Sequence, residues 1–194
     1  MTKVYAILAH PRKDSLVGTL FYTTVKQMRA AGATVDVLDL YERAPEVLFY
    51  EQTLKNTHNA FFEENKARFM TADRILIMYP VFWYAVPGIM KCWLDLITSY
   101  AFTYGPEQCT IFSNYAIPKH TIKKALVVNS AAMHSWFRWL RTKNSGTEMV
   151  KESLKFLSIW NNIFYEIGST STLTPDKVQQ HQTKILKYSD WLIS

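Results

Sequence analysis

The sequence predicts an α/β domain: a three-layer, doubly wound sheet of five parallel strands in the order 2-1-3-4-5. Two observations carry this expectation. Short apolar runs alternate with stretches of helical periodicity along the chain, the mark of βαβ units. The strongest run, Ile75-Leu76-Ile77-Met78-Tyr79, has no polar face, as in a strand buried on both sides of a parallel sheet.

Each element has its own signal. Lys3 to Leu8 reads as the first strand, followed by the loop His10-Pro11-Arg12-Lys13-Asp14-Ser15. Leu16, Leu20, Phe21, Thr24, Val25 and Met28 then mark one helical face, and Gly32 suits the left-handed residue that ends a helix. Thr34 to Leu38 alternates as a second strand and runs into Asp39-Leu40-Tyr41. Ala44 to Tyr50 reads as irregular connection, and Gln52 to Met70 as a helix carrying Leu54, Phe61, Phe62 and Phe69. Pro80, lacking an N–H, stops the third strand. Pro87 suits a first helical position, with Ile89, Met90, Trp93, Leu94 and Ile97 at helical spacing behind it. Pro106 to His120 is an unpatterned loop of about fifteen residues. Lys123 to Asn129 reads as the fourth strand, Ser135 to Leu157 as helix broken near Asn144-Ser145-Gly146, and Asn162 to Ile167 as the fifth strand. Thr174 as N-cap and Pro175 at the first helical position open a last helix, with Val178, Ile185, Tyr188 and Leu192 inward.

Composition narrows the class. A chain of 194 residues, 48% hydrophobic and 20% charged, is expected to form one domain, residues 1–194, with a substantial core. The longest uncharged run, Ile75 to Met90, has 16 residues and two prolines, short of the roughly 20 apolar residues of a membrane span. The start, MTKVYAILAHPRKDS, lacks the pattern of a cleavable signal. Two cysteines, Cys92 and Cys109, form no CxxC or metal-type pair and read as inert reduced thiols in a cytoplasmic protein, with no metal site. The net charge of +6 is scattered, densest at Arg138, Arg141 and Lys143 beside Trp136 and Trp139. A nucleic-acid patch is one reading; a solvated helix face is the plainer one, and no nucleic-acid partner is expected.

The chemistry is expected where strands end. Neither G-x-G-x-x-G nor G-x-x-x-x-G-K-[ST] occurs, so both glycine-rich phosphate loops are excluded. After the first strand comes a polar loop opening a helix at Ser15. Helix-terminal N–H groups bind phosphate without glycine, while Ser15 or Asp14 serving only as a cap is an equal alternative. A lone histidine such as His10 is more often structural than a ligand. Beyond the third strand come Phe82-Trp83-Tyr84. Three consecutive aromatics cannot all face one side of an element, so at least one is expected in a cleft or an interface. A flat, conjugated ligand suits that place. Trp93 reads as core or subunit contact. For Trp136, Phe137, Trp139 and Trp160, a pocket lid and a buried core stand equally open.

Taken together, H-P-R-x-x-S after strand one, D-L-Y after strand two, and Y-P-V-F-W-Y-A-V-P-G-I-M-K-C-W-L-D running on to A-F-T-Y-G resemble the flavodoxin-like NAD(P)H:quinone oxidoreductases. That family includes bacterial modulators of drug activity, ancillary reductases of potassium-efflux systems and animal quinone reductases. The resemblance covers roughly the first 130 residues. It implies a flavodoxin-like fold in which His10, Ser15, Leu16 and Val17 surround a flavin phosphate. It implies that Pro80, Val81, Phe82, Trp83 and Tyr84 wrap the isoalloxazine, largely through backbone groups. Asn129-Ser130-Ala131-Ala132 stands where family members commonly carry T-T-G-G against the flavin edge, which removes easy access to positive φ. Val17 stands where asparagine is frequent.

The implied activity is hydride transfer from NAD(P)H through the flavin, FMN by preference with FAD as the alternative, to a quinone or similar aromatic acceptor. The implied assembly is a homodimer with the site at the subunit interface. Family members place a tyrosine or histidine of the second half near the reduced flavin; Tyr104, His120 and His134 are loose candidates, and no catalytic residue is assigned. A second reading is a non-enzymatic flavodoxin-like ancillary subunit of a partner such as a cation-efflux system.

Overall fold

A computed structural model describes residues 1–44, 60–98 and 119–194. In chain order its elements are β1 Lys3–Leu8, α1 Leu16–Ala30, β2 Thr34–Asp39, α2 Ala60–Thr71, β3 Arg74–Pro80 and α3 Gly88–Thr98. Next come β4 Lys124–Ser130, α4 Ser135–Thr142, α5 Ser145–Phe156, β5 Asn162–Ile167, a 3₁₀ turn at Thr170–Thr172 and α6 Pro175–Ile193. The strands form one sheet in the order β2-β1-β3-β4-β5, every pair parallel. This is the predicted flavodoxin-like order.

The period-two alternation of strands divides the core into two layers. Tyr5, Ile7, Ile75, Ile77, Ala125 and Val127 face one side, against Phe61, Phe62 and Phe69 of α2, Met90, Trp93 and Leu94 of α3, and Val150 and Leu154 of α5. Val4, Ala6, Leu8, Leu76, Met78, Leu126 and Val128 face the other, against Leu20, Phe21, Val25 and Met28 of α1 and Ile185 and Leu192 of α6. β3 and β4 are therefore covered on both faces, which is why they read as unbroken apolar runs. β2 lies at an edge, and its burial alternates over Thr34 to Asp36.

Local chemistry sets the ends. The Ser15 hydroxyl accepts from Gly18 N–H at 3.0 Å and caps α1. Gly32, at φ 90°, comes just after that helix and its N–H reaches Arg29 O at 3.0 Å, the left-handed ending expected of it. Thr174 caps α6 through Lys177 N–H, with Pro175 at the first position. The far end of α6 is held by two cations, which suits the negative end of a helix: Arg74 Nε donates to Leu192 O at 2.8 Å and Lys124 Nζ to Trp191 O at 3.0 Å.

Three expectations shift. Pro80 is the last residue of β3 rather than its stop; it sits opposite Ser130, and the next residue, Val81, reaches Ser130 O with its N–H at 2.7 Å. Pro87 lies one place before α3, its carbonyl accepting Lys91 N–H at 3.0 Å. The helix expected over Gln52 to Met70 is seen from Ala60, and its earlier part lies outside the described residues. So do the connections expected over Ala44 to Tyr50, beyond Ala44, and Pro106 to His120, before Lys119. Among the described residues no helix is long and apolar enough to cross a membrane.

Candidate functional site

Winding to β2 on one side of β1 and to β3 on the other opens a crevice at the carboxyl ends of these two strands, the place where sheets of this kind bind ligands. A cleft of about 500 Å³ lies there. The loop after β1 contributes His10, Arg12, Ser15, Leu16 and Val17. The segment after β3 contributes Pro80, Val81 and Phe82, and the end of β4 brings Ser130, Ala131 and Ala132. Thr170, beyond β5, completes the wall.

At one end of the cleft is the N-terminus of α1. The first four N–H groups of a helix have no intrahelical partner. Ser15 Oγ takes that of Gly18 at 3.0 Å, while those of Leu16 and Val17 have no partner among the described residues; the first intrahelical bond runs from Thr19 N–H to Ser15 O at 2.8 Å. With Arg12 on the same wall, this end suits an anion. Both alternatives for Ser15 hold together, since the residue caps the helix and lines the cleft. His10 Nδ1 accepts Arg12 N–H at 3.0 Å, which fixes a neutral ring protonated at Nε2. Burial holds its pKa below the ordinary 6.5. Its ring centroid lies 6.4 Å from that of Phe82.

After β3 the three aromatics form a two-residue hairpin, of which Phe82 lines the cleft. Phe82 N–H reaches Ala85 O at 2.9 Å and Ala85 N–H reaches Phe82 O at 3.0 Å. Trp83 and Tyr84 lie between them at φ 47° and 66°, as a type I′ turn demands. Neither residue is one that the left-handed region favours, so the turn carries strain of about 1–2 kcal/mol per residue. It is pinned from outside: Ser145 Oγ donates to Tyr84 O at 2.7 Å, and Gly146 N–H donates to the same oxygen at 3.0 Å. Trp83 is 92% exposed and Phe82 43% exposed, as three aromatics in a row must leave at least one uncovered. The N–H groups of Trp83 and Tyr84 have no partner among the described residues.

Trp83 and Tyr84 line a second, smaller cavity of about 210 Å³ that shares Val81, Ala131 and Ala132 with the cleft. Met133 and Arg138 complete its lining. Asn129 lines neither space: its side chain is fully buried and donates to Thr147 Oγ1 at 3.2 Å. The two alanines that replace glycines need no left-handed backbone, for neither Ala131 nor Ala132 has positive φ. Ala131 N–H instead continues the ladder to Ile167 O at 2.9 Å. The positive φ of the site lies at Trp83 and Tyr84.

Of the loose second-half candidates, His120 is structural. It is buried, with Nε2 against Leu157 O at 2.8 Å and Nδ1 accepting Ile122 N–H at 3.2 Å, ahead of β4 rather than at its carboxyl end. His134 is exposed, precedes α4 and bonds Ser169 Oγ at 2.7 Å. Tyr104 and Cys109 lie outside the described residues, and burial pushes the Cys92 thiol up, away from reactivity. Trp136, Trp139 and Trp160 do not form a core. Trp136 is 66%, Trp139 53% and Trp160 57% exposed. On α4 the order is inverted, because its one buried residue is Arg138, paired with Glu166 of β5 at 3.0 Å. The solvated basic face expected there therefore lacks Arg138. Sequence reasoning missed Arg138 and Thr170 as site residues. Arg12 stood in the recognised loop without being assigned.

A profile of the flavodoxin-like fold, the Flavodoxin_2 family, matches residues 2–189. Ribosyldihydronicotinamide dehydrogenase (quinone) of Homo sapiens is 28% identical over 123 residues, covering 53% of each chain. A glutathione-regulated potassium-efflux system ancillary protein of Salmonella paratyphi B is 31% identical over 117 residues, 58% of this chain and 54% of that one. The chain thus spans about half the length of the curated relatives it matches. Among solved structures, NAD(P)H:quinone oxidoreductase from Methanothermobacter marburgensis superposes with a TM-score of 0.77 at 20% identity, covering 97% of this chain and 95% of that one. An FMN-dependent NADH-azoreductase of Bacillus anthracis in complex with FMN gives 0.73 at 16%, covering all of both; at these identities the likeness concerns the fold. Matched over nearly its whole length, the chain belongs to the flavodoxin-like family, with quinone-type and NAD(P)H oxidoreductases among its relatives in sequence.

Proposed function

We propose that this protein is a flavin-dependent NAD(P)H oxidoreductase acting on a quinone or similar small aromatic acceptor, with FMN as the cofactor before FAD. One observation carries the reading: a cleft lined by the N-terminus of α1 and by Phe82 adjoins, across the shared wall of Val81, Ala131 and Ala132, the aromatic turn whose Trp83 and Tyr84 N–H groups have no partner among the described residues. Phosphate at one end and a flat heterocycle at the other are the two halves of a flavin nucleotide. When bound, the flavin would supply the redox chemistry, accepting hydride from the nicotinamide and passing two electrons to the acceptor.

The chain's part is to bind and orient. Leu16 and Val17 N–H, with Arg12, would hold the phosphate. Val81 and Phe82 would take the ring system, and the N–H groups of Trp83 and Tyr84 its polar edge. His10, neutral and locked by Arg12 N–H, presents Nε2–H as a donor rather than a charge. Trp83 and Tyr84 would shut out water once a second ring stacks beside them. No side-chain proton relay is required. The homodimer implied by the sequence resemblance fits the exposure of Trp136, Trp139 and Leu140 on α4.

A visible spectrum of the purified protein, taken after adding excess FMN or FAD and removing what is free, tests the reading. Anaerobic NADH and NADPH are then added in turn. Retained flavin that bleaches with either nucleotide is expected. Retention without bleaching would favour the ancillary-subunit reading, which the potassium-efflux relative supports; no retention of either flavin would overturn the flavoprotein itself.

A further inference from the structure

We propose that the outward face of α4 docks the protein on the surface of a bilayer rich in anionic lipid. Trp136, Trp139 and Leu140 enter the headgroup boundary, and Arg141 and Lys143 meet the lipid phosphates. The docking does not depend on the function proposed above.

Single exposed apolar residues are ordinary on a folded chain, whereas a cluster of them marks an interaction surface. On α4 they are gathered. Trp136 is 66%, Trp139 53% and Leu140 61% exposed, and their spacing of three and four puts them on one side of the helix. Arg138 lies on the opposite side, 3% exposed and paired with Glu166 at 3.0 Å. Turning α4 to bury its tryptophans would break that pair and leave a carboxylate without its cation. The ion pair therefore holds the aromatic stripe outward.

Charge and area name what covers the stripe. Lys143 Nζ stands 4.0 Å from the Trp139 ring centroid, and the Arg141 guanidinium 5.8 Å from that of Phe137. Neither cation is in an ion pair among the described residues. No Asp or Glu occurs at 75–94 or at 119–147, the stretches that supply the turn after β3 and α4. A tryptophan ring with a cation laid over it suits a membrane surface, the ring at headgroup level and the charge reaching out to phosphate. Exposure alone would suit a second copy equally well. A twofold contact on this stripe, however, would bring Arg141 and Lys143 toward their own copies with no carboxylate between them. Two partly exposed tryptophans and a leucine also fall short of the roughly 800 Å² per partner of a stable interface. At eight residues the helix is far too short to span a bilayer and lies in its surface instead. Met133, just ahead of it, lines the same cavity as Trp83 and Tyr84, so docking brings the aromatic turn to the lipid.

Sedimentation of the full chain with vesicles tests the assignment, one set of phosphatidylcholine alone and one an equal mixture with phosphatidylserine. Each cation near an anionic surface contributes about fivefold in affinity, so the mixture is expected to bind at least tenfold more tightly. Arg141→Gln/Lys143→Gln should bring that preference below threefold, and Trp136→Gln/Trp139→Gln should release the protein from both vesicles. A further measurement does not depend on either variant folding: brominated phosphatidylcholine in the mixed vesicles is expected to quench the tryptophan emission of the wild type. Absent or equal binding to the two compositions, unquenched emission, or binding that survives the tryptophan variant would overturn the proposal. So would a dimer that the tryptophan variant splits, without vesicle binding, which gives the stripe to a second copy. A failed flavin titration would remove the flavoenzyme reading and leave the vesicle result standing.

Discussion

At Gly18 two opposing effects meet. Inside an exposed helix an alanine outdoes glycine by about 1 kcal/mol, which alone would make Gly18→Ala stabilising. Here a Cβ would stand 2.3 Å from Lys13 O and 2.9 Å from Arg12 O, and both atoms are backbone. The loop after β1 must retreat, and overpacking of this kind costs about 1–3 kcal/mol. The clash wins. Gly18→Ala is expected to lower the urea midpoint and to weaken flavin retention more than it weakens the fold, since Arg12 and Ser15 move with the loop. An unchanged flavin affinity would remove this loop from the proposed phosphate site. The sequence shows Gly18 only as a glycine in a helix, because the carbonyls it must avoid come from a loop whose path spacing cannot specify.

The element that most shapes the site is the Phe82–Ala85 hairpin, and its sequence opposes its geometry. Type I′ turns favour Asn-Gly, whereas Trp83-Tyr84 occupies the two left-handed positions. The turn persists because Ser145 and Gly146, at the start of α5, grip Tyr84 O. Trp83→Asn is therefore expected to stabilise the protein by about 1 kcal/mol, the left-handed strain it relieves, since a side chain 92% exposed gives up little packing. The same change is expected to weaken retention of the flavin ring, by roughly tenfold if one aromatic contact of about 1.4 kcal/mol is lost. Denaturation and flavin titration on one preparation read both. A loss of stability would mean that Trp83 packs as well as binds. α4 teaches the same lesson in reverse. Its tryptophans, read from composition, fitted a core as well as a lid, but the helix is only eight residues long and spends its buried position on Arg138.

In the molecule as a whole, three histidines among the described residues are held below their ordinary 6.5. Burial lowers His10, His120 and His181, the last aided by Lys184 and Lys177. In the unfolded chain these rings take up protons near pH 6.5; in the folded protein they resist. The unfolded state therefore binds more protons in that window, and stability rises with pH through it. Their contribution is complete above about pH 6.5 and drains away as pH falls toward the lowered folded values. Glu64 acts lower: its hydrogen bond with Arg43 holds it below 4.5, so its stabilisation is lost only on further acidification. Urea denaturation at pH 7.5 and 5.5 is expected to show lower stability at 5.5, and His120→Asn a smaller difference between the two. A pH-independent midpoint would contradict the neutral assignment of these rings.

The sequence by itself determined the five strands, their parallel sense and order, and most of the cleft's lining. The strands and their sense come from periodicity and from short local signals, apolar runs with Ser15 and Thr174 as caps and Gly32 as a stop, whereas the residues of the cleft come from the family resemblance. The sequence also placed the aromatic turn after β3, because three adjacent aromatics have no common face. Only the tertiary structure decided what depends on residues far apart in the chain. Thr170 reaches the cleft from beyond β5, Arg138 finds Glu166 across 28 positions, and α5 holds the strained turn from 61 residues away. The end of β4 is the sharpest case. Two alanines in place of glycines predicted trouble locally, yet Ala131 simply extends a ladder to Ile167, and the left-handed backbone belongs to the neighbouring hairpin. Local preference sets which elements form; the packing of distant elements sets which backbone and which charge the site presents.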